Sequence, residues 1–188
     1  MRSFTDIVDE HEQVVKKSLP AIEKSFQAAV DLCVTALKGG NKILICGNGG
    51  SAADAQHFAA ELVGRFERER EAWPAIALST DTSILTAVAN DYGFNACFAR
   101  QVKALGRKGD VLIGISTSGN SENVLAAAET AGGIGMGLIS LTGEGGGRLG
   151  GMADAALAAA SGRTARIQEI HAICLHALCE FIESGLEQ

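Results

Sequence analysis

Ser116, Thr117, Ser118 and Ser121 crowd four hydroxyls around Gly119 in the stretch STSGNS (116–121). A phosphomonoester needs several donors converging on a small volume, and hydroxyls followed by the amides of a helix start supply them without a lysine. The same residue types also cap helices and shape turns, so the stretch read singly fits either use. A second loop, GNGGS (47–51), offers glycines that permit close backbone approach and amides that lead into the next helix. Gly47, Gly49 and Ala52 also satisfy the dinucleotide pattern G-x-G-x-x-A. The acid that would take a ribose is expected about 20 residues on, at a strand end. The nearest such acid, Asp81, stands 34 residues after Gly47, and no P-loop pattern is present.

His57 and Glu61 stand four apart after the glycine loop, so they share one helix face, as a base and a ligand on one stem or as an ordinary surface pair. Near the end of the chain, Ile167, Ile170, Cys174, Leu178 and Phe181 form one apolar stripe. Gln168, Ala172, Leu175, His176 and Cys179 form a second face about 100° round. A helix with two non-solvent faces suits a position clamped between subunits. Gln168 and His176, two turns apart on the second face, then either reach into a cleft made with a neighbouring chain or sit satisfied in a core.

These groups need a scaffold, and the chain spells one out. Residues 4–38 carry apolar positions at helical spacing (Phe4, Ile7, Val14, Val15, Ile22, Phe26, Val30, Val34), with Pro20 predicting a break between two helices and Gly39-Gly40 a stop. KILIC (42–46) predicts a strand, followed by the glycine loop and a helix from Ser51 to about Arg65. The unit recurs in AIALS (75–79) before DTSILTAVAND, in DVLIGIS (110–116) before ENVLAAAETA, and in GMGLISLTG (135–143) before a glycine-rich loop. Apolar strands alternating with helices predict a doubly wound α/β fold whose mostly parallel sheet is covered on both faces. Ligands of such a sheet bind at the carboxyl ends of its strands, where both loops fall. DAALAAA (154–160) fits a strand by position although alanine is a poor strand former, and a last helix spans roughly Arg163 to Ser184. FERERE (66–71) reads as a solvated loop between units.

With 188 residues, one domain is expected over 1–188, made of an N-terminal helical segment (1–40) and an α/β core (41–188). A net charge of −6, without a run of Lys and Arg able to track a phosphate backbone, argues against direct nucleic-acid binding. The start MRSFTDIVDEHEQ lacks the features of a signal peptide, and no window of 18 uncharged apolar residues offers a membrane span. The expectation is a soluble cytoplasmic protein, in which five scattered cysteines without a CxxC pair are reduced core residues.

CGNGGSAADAQHFAAELVGRF (46–66), ANDYGFN (89–95), GDVLIGISTSGNSENV (109–124) and RIQEIHAICLHAL (166–178) together resemble the phosphoheptose isomerases of the sugar-isomerase (SIS) fold. The likeness extends over nearly the whole chain, with the four motifs in order. It implies a loop for a sugar phosphate rather than a dinucleotide. It also implies conversion of sedoheptulose 7-phosphate to D-glycero-D-manno-heptose 7-phosphate for the heptose of lipopolysaccharide. By the resemblance, Asn48, Gly49, Gly50, Ser51, Asn90, Asp91, Ser116, Thr117, Ser118, Ser121 and Gln168 contact substrate. His57, Glu61, Gln168 and His176 hold zinc, one ion per subunit and loosely bound, Glu61 and His176 carry the acid–base chemistry, and the assembly is a homotetramer. A non-catalytic relative in the same fold, of the replication-initiator-associating type, is similar in the glycine loop, much of the hydroxyl loop and RIQE, and in places over residues 71–91. It is the alternative. That group lacks an acid at the position of Glu61 and a histidine at the position of His176 and places an arginine in the hydroxyl loop, whereas this chain carries both residues and reads STSGNS.

Overall fold

The apolar runs become the strands of one sheet: β1 (Ile43–Gly47), β2 (Ala75–Ala77), β3 (Val111–Ser116), β4 (Gly137–Thr142) and β5 (Ala155–Ala158). This computed structural model describes residues 2–186; Met1, Glu187 and Gln188 lie outside the description. The strand order is β2-β1-β3-β4-β5, and every pair is parallel. The helices are α1 (Phe4–Lys38), α2 (Gly50–Val63), α3 (Thr82–Tyr92), α4 (Cys97–Leu105), α5 (Glu122–Ile134), α6 (Gly147–Met152) and α7 (Thr164–Leu186).

Every residue of β1 and β3 is buried, as a central parallel strand covered on both faces requires. Ile43, Ile45, Ile113 and Ile139 point to a core shared with α1, α2 and α7. Leu44, Leu112 and Leu138 point the other way, to Phe98, Val102 and Leu125 of α4 and α5. All five cysteines are free and buried, and burial pushes the thiols of Cys33, Cys46, Cys174 and Cys179 up to about 12, so they stay protonated. Among the described residues, no helix is long and apolar enough to cross a membrane.

One local expectation changes, and two segments gain definition. Pro20 does not break the N-terminal helix: α1 runs unbroken for 35 residues. An interior proline removes one hydrogen bond and costs about 3 kcal/mol. Here Pro20 is exposed, and Val14 and Val30 are buried on either side of it. Next to it, Ser18 Oγ donates to the carbonyl of Val14 at 2.7 Å and accepts from the amide of Ala160 at 2.9 Å, fastening the helix to the chain after β5. The alanine-rich stretch at 155–158 does form a strand, because pairing with β4 and coverage by α1 outweigh alanine's weak preference. The segment after Gly93 folds as a 3-10 turn (Phe94–Ala96) and α4.

Candidate active site

The sheet reverses its winding between β1 and β3, since the chain leaves β1 for β2 on one side and resumes at β3 on the other. That crevice is where an open parallel sheet binds ligands. The register pairs Gly47 with Ile115, so GNGGS and STSGNS emerge side by side. Asn48 Nδ2 donates to Asn123 Oδ1 at 2.9 Å, and Asn123 Nδ2 returns a bond to Asn48 Oδ1 at 2.8 Å. Asn123 is buried and its Oδ1 also accepts from the amide of Val124, so this amide pair joins the two loops. Sequence reading missed Asn123, because nothing in the types or spacing of two asparagines 75 positions apart announces their contact.

In the second loop, Ser116 Oγ lies 2.9 Å from Ser121 Oγ and 3.4 Å from Ser118 Oγ. Ser121 is the N-cap of α5, yet its side chain makes no capping bond. Its hydroxyl is turned to that of Ser116 instead. Gly119 is at φ 66°, and a Cβ there would come within 2.1 Å of the Gly146 carbonyl, so the glycine-rich loop after β4 backs the hydroxyl loop. Thr117 contributes its carbonyl to the amide of Gly143 at 3.0 Å.

Helices α2 and α7 lie together with their chemistry-bearing residues aligned. At the start of α2, a Cβ on Gly50 would meet Gln168 Nε2 at 2.5 Å, so the glutamine amide rests on the glycine loop. Two turns further, His57 Nε2 lies 3.0 Å from His176 Nε2 and 3.2 Å from Glu61 Oε1. A cavity of about 180 Å³ opens beside them, lined by Ala53, Asp54, His57, Ala172, Leu175 and His176. Among the described residues, Asp54 Oδ2 is buried without a hydrogen-bond partner, and desolvation holds its carboxyl above the usual range despite the nearby His57. The second face of the last helix therefore packs on α2 of the same chain, with His176 left exposed, and its first packs on α1, with Phe181 half exposed. Two non-solvent faces do not by themselves require a neighbouring subunit.

A family model for the SIS domain matches residues 7–143. The phosphoheptose isomerase of Helicobacter pylori (strain P12) is 56% identical over 173 residues, 92% of this chain and 90% of its own. The chain belongs to the phosphoheptose isomerase family of SIS-domain proteins. A solved phosphoheptose isomerase from Neisseria gonorrhoeae matches with TM-score 0.91 and 46% identity over 96% of each chain. One from Francisella tularensis matches with TM-score 0.92 and 42% identity, over 98% of this chain and 100% of that one.

Within this isomerase-family chain, the remaining residues named from sequence are placed as follows. Ser51 is buried at the start of α2, its amide bonded to the Asn48 carbonyl at 3.0 Å. Asn90 and Asp91 are exposed on α3 and bond each other at 2.8 Å; among the described residues no hydrogen bond joins them to either loop. FERERE is not simply solvated, because Arg70 and Glu183 pair with side chains only 8% and 2% exposed, and Phe66 packs on the core.

The donor set His57, Glu61 and His176 suits zinc in kind, two imidazole nitrogens and a carboxylate oxygen. Neighbouring ligands on a tetrahedral zinc stand roughly 3.3 Å apart, close to the 3.0 and 3.2 Å measured from His57 to the other two. Among the described residues, Glu61 and His176 share no hydrogen bond and no three His, Cys, Asp or Glu side chains close around one point. Gln168 meets the glycine loop, two turns from His176, so the four-residue set is drawn along a line rather than into a ring.

Proposed function

We propose that the chain interconverts sedoheptulose 7-phosphate and D-glycero-D-manno-heptose 7-phosphate, supplying the heptose of lipopolysaccharide, as a cytoplasmic homotetramer with one loosely held zinc per subunit. The observation that carries this reading is the convergence at one sheet edge of the hydroxyl loop, the glycine loop and the His57 contacts to Glu61 and His176.

The phosphate sits on Ser116, Thr117, Ser118 and Ser121 and the amides that open α5, where charge and donors favour a dianion. The backbone of Asn48, Gly49, Gly50 and Ser51, with the amide of Gln168, lines the sugar chain, and Asn90 and Asp91 complete the substrate set. In the forward step a proton leaves C1 of the ketose and returns to C2, while a second passes from O1 to O2, through an enediolate. Glu61, 24% exposed on its side chain, takes the carbon-bound proton, and His176 moves the proton between the oxygens. His57 stands between them and orients both. Zinc held by His57, Glu61, Gln168 and His176 would supply a Lewis acid for the sugar oxygens once these side chains, strung along a line here, drew in around it.

The tetramer reading is supported by a groove of about 340 Å³ between α1 and α7 with apolar walls, and by Leu19, Ile173 and Phe181, each 47 to 50% exposed along it. Light scattering should give a mass close to four times 19.4 kDa, and a monomer would contradict it. The non-catalytic alternative is disfavoured because Glu61 and His176 are both present and meet the same histidine. Incubation with sedoheptulose 7-phosphate in heavy water separates the two: deuterium should enter at the carbon beside the carbonyl. No exchange, with or without added zinc, would leave a binding protein.

A further inference from the structure

The charged segment 66–71 ties the carboxyl end of α2 to α7, and it does so at the two residues proposed to bear the chemistry. Glu183 accepts from the amides of Phe66, Glu67 and Arg68 at 3.2, 3.2 and 3.1 Å and from Arg70 Nε at 3.3 Å. The rest of the Arg70 guanidinium spans the last turn of α2. Its Nη1 donates to the carbonyls of Leu62 and Gly64 at 2.8 and 3.1 Å, and its Nη2 to that of Glu61 at 2.7 Å. Carbonyls in the last turn of a helix lack helical partners, and a cation there also meets the negative end of the helix dipole. Trp73 closes the other side, its ring 3.8 Å from the Arg70 guanidinium carbon. At the opposite end of the segment, the ring of Phe66 stacks on that of His176, centroids 5.8 Å apart and planes 25° apart. The ring of His57 meets His176 edge-on at 5.1 Å.

We propose that this segment is a brace, and that Phe66 and Arg70 are positioning residues for the isomerisation. Phe66 fixes the plane of an imidazole that is otherwise exposed, and Arg70 stops the last turn of α2 from fraying and so fixes Glu61. The inference rests on Glu61 and His176 being the reacting pair. A buried ion pair is weak evidence for stability, since its desolvation cost offsets most of its attraction. Orientation is the use this one suits: a planar fork reaches Glu183 and the carbonyls of Glu61, Leu62, Gly64 and Glu71 at once, which a lysine, a point charge, does not reproduce. A misplacement of about 1 Å at reacting groups can cost on the order of a hundredfold in rate.

The test is steady-state kinetics with sedoheptulose 7-phosphate on F66L, F66Y and R70K beside E61Q, with rates expressed per folded enzyme. F66L keeps apolar volume but loses the ring face, so kcat should fall at least about tenfold with KM within about twofold. F66Y restores the ring and should return kcat to within about twofold of the parent. R70K keeps the charge beside Glu183 and drops the span to Glu61, so kcat should again fall at unchanged KM; it decides the matter if F66L does not fold. An inactive E61Q with F66L or R70K at the parent kcat overturns the brace alone. F66Y as slow as F66L overturns it too, by making Phe66 a matter of packing. E61Q at the parent rate overturns the acid–base pair, and the brace with it.

Discussion

Asn48 and Asn123 exchange two hydrogen bonds, of 2.9 and 2.8 Å, across the crevice between β1 and β3. Reciprocal amide pairing leaves neither side chain free to turn, so the glycine loop holds a set position relative to the hydroxyl loop. Asn123→Asp replaces the donor facing Asn48 Oδ1 with a second acceptor. Stability should drop by about 1–3 kcal/mol, the cost of an unmatched buried polar group. With the loops no longer registered, KM for the sugar phosphate should rise at least about tenfold. Urea unfolding and steady-state kinetics measure the two effects, and an unchanged KM would make the pair a packing feature only.

Ser118 and Ser121 present hydroxyls to the proposed phosphate position, and Ser121 is turned to Ser116 rather than capping its own helix. Replacing either by alanine removes a hydrogen bond to a dianion, worth about 1.5–3 kcal/mol. Substrate affinity by titration calorimetry should fall at least about tenfold in each variant. Unchanged affinity would leave STSGNS as a turn.

His171 is fully buried, with its Nε2 3.0 Å from the Thr142 carbonyl, and burial lowers its pKa from 6.5 to about 4 against the smaller upward pull of that bond. Because the folded value lies below the unfolded one, the unfolded chain takes up the proton first as pH falls. The stability linked to His171 is thus complete above pH 6.5 and lost as pH drops through about 4. His171→Asn removes this titration. The variant should be less stable than the parent at pH 7, with the gap closing by on the order of 3 kcal/mol by pH 4. A gap independent of pH in urea unfolding would show that His171 does not titrate in this way.

The strands, the loops and the face shared by His57 and Glu61 were legible because each rests on local pattern: apolar runs of strand length, glycine before a helix, a spacing of four. What escaped was set by distant partners. Nothing local shows that Pro20 is tolerated, since that depends on exposure of its face and on Ser18 reaching Ala160. FERERE looks solvated until Glu183 is brought beside it by α7, 113 positions from Arg70. The alignment of Gln168 with Gly50 and of His176 with His57 follows from how two helices pack, which residue types cannot express.

In the proposed reaction Glu61 takes the carbon-bound proton. Glu61→Gln keeps the size and helix preference of the residue and removes the base. In heavy water with sedoheptulose 7-phosphate, deuterium exchange and turnover should both fall by about 10²–10⁴-fold, while substrate affinity, carried by the two loops, stays within about threefold. Exchange at the parent rate would contradict the account, and would leave Glu61 as a partner of His57 and nothing more.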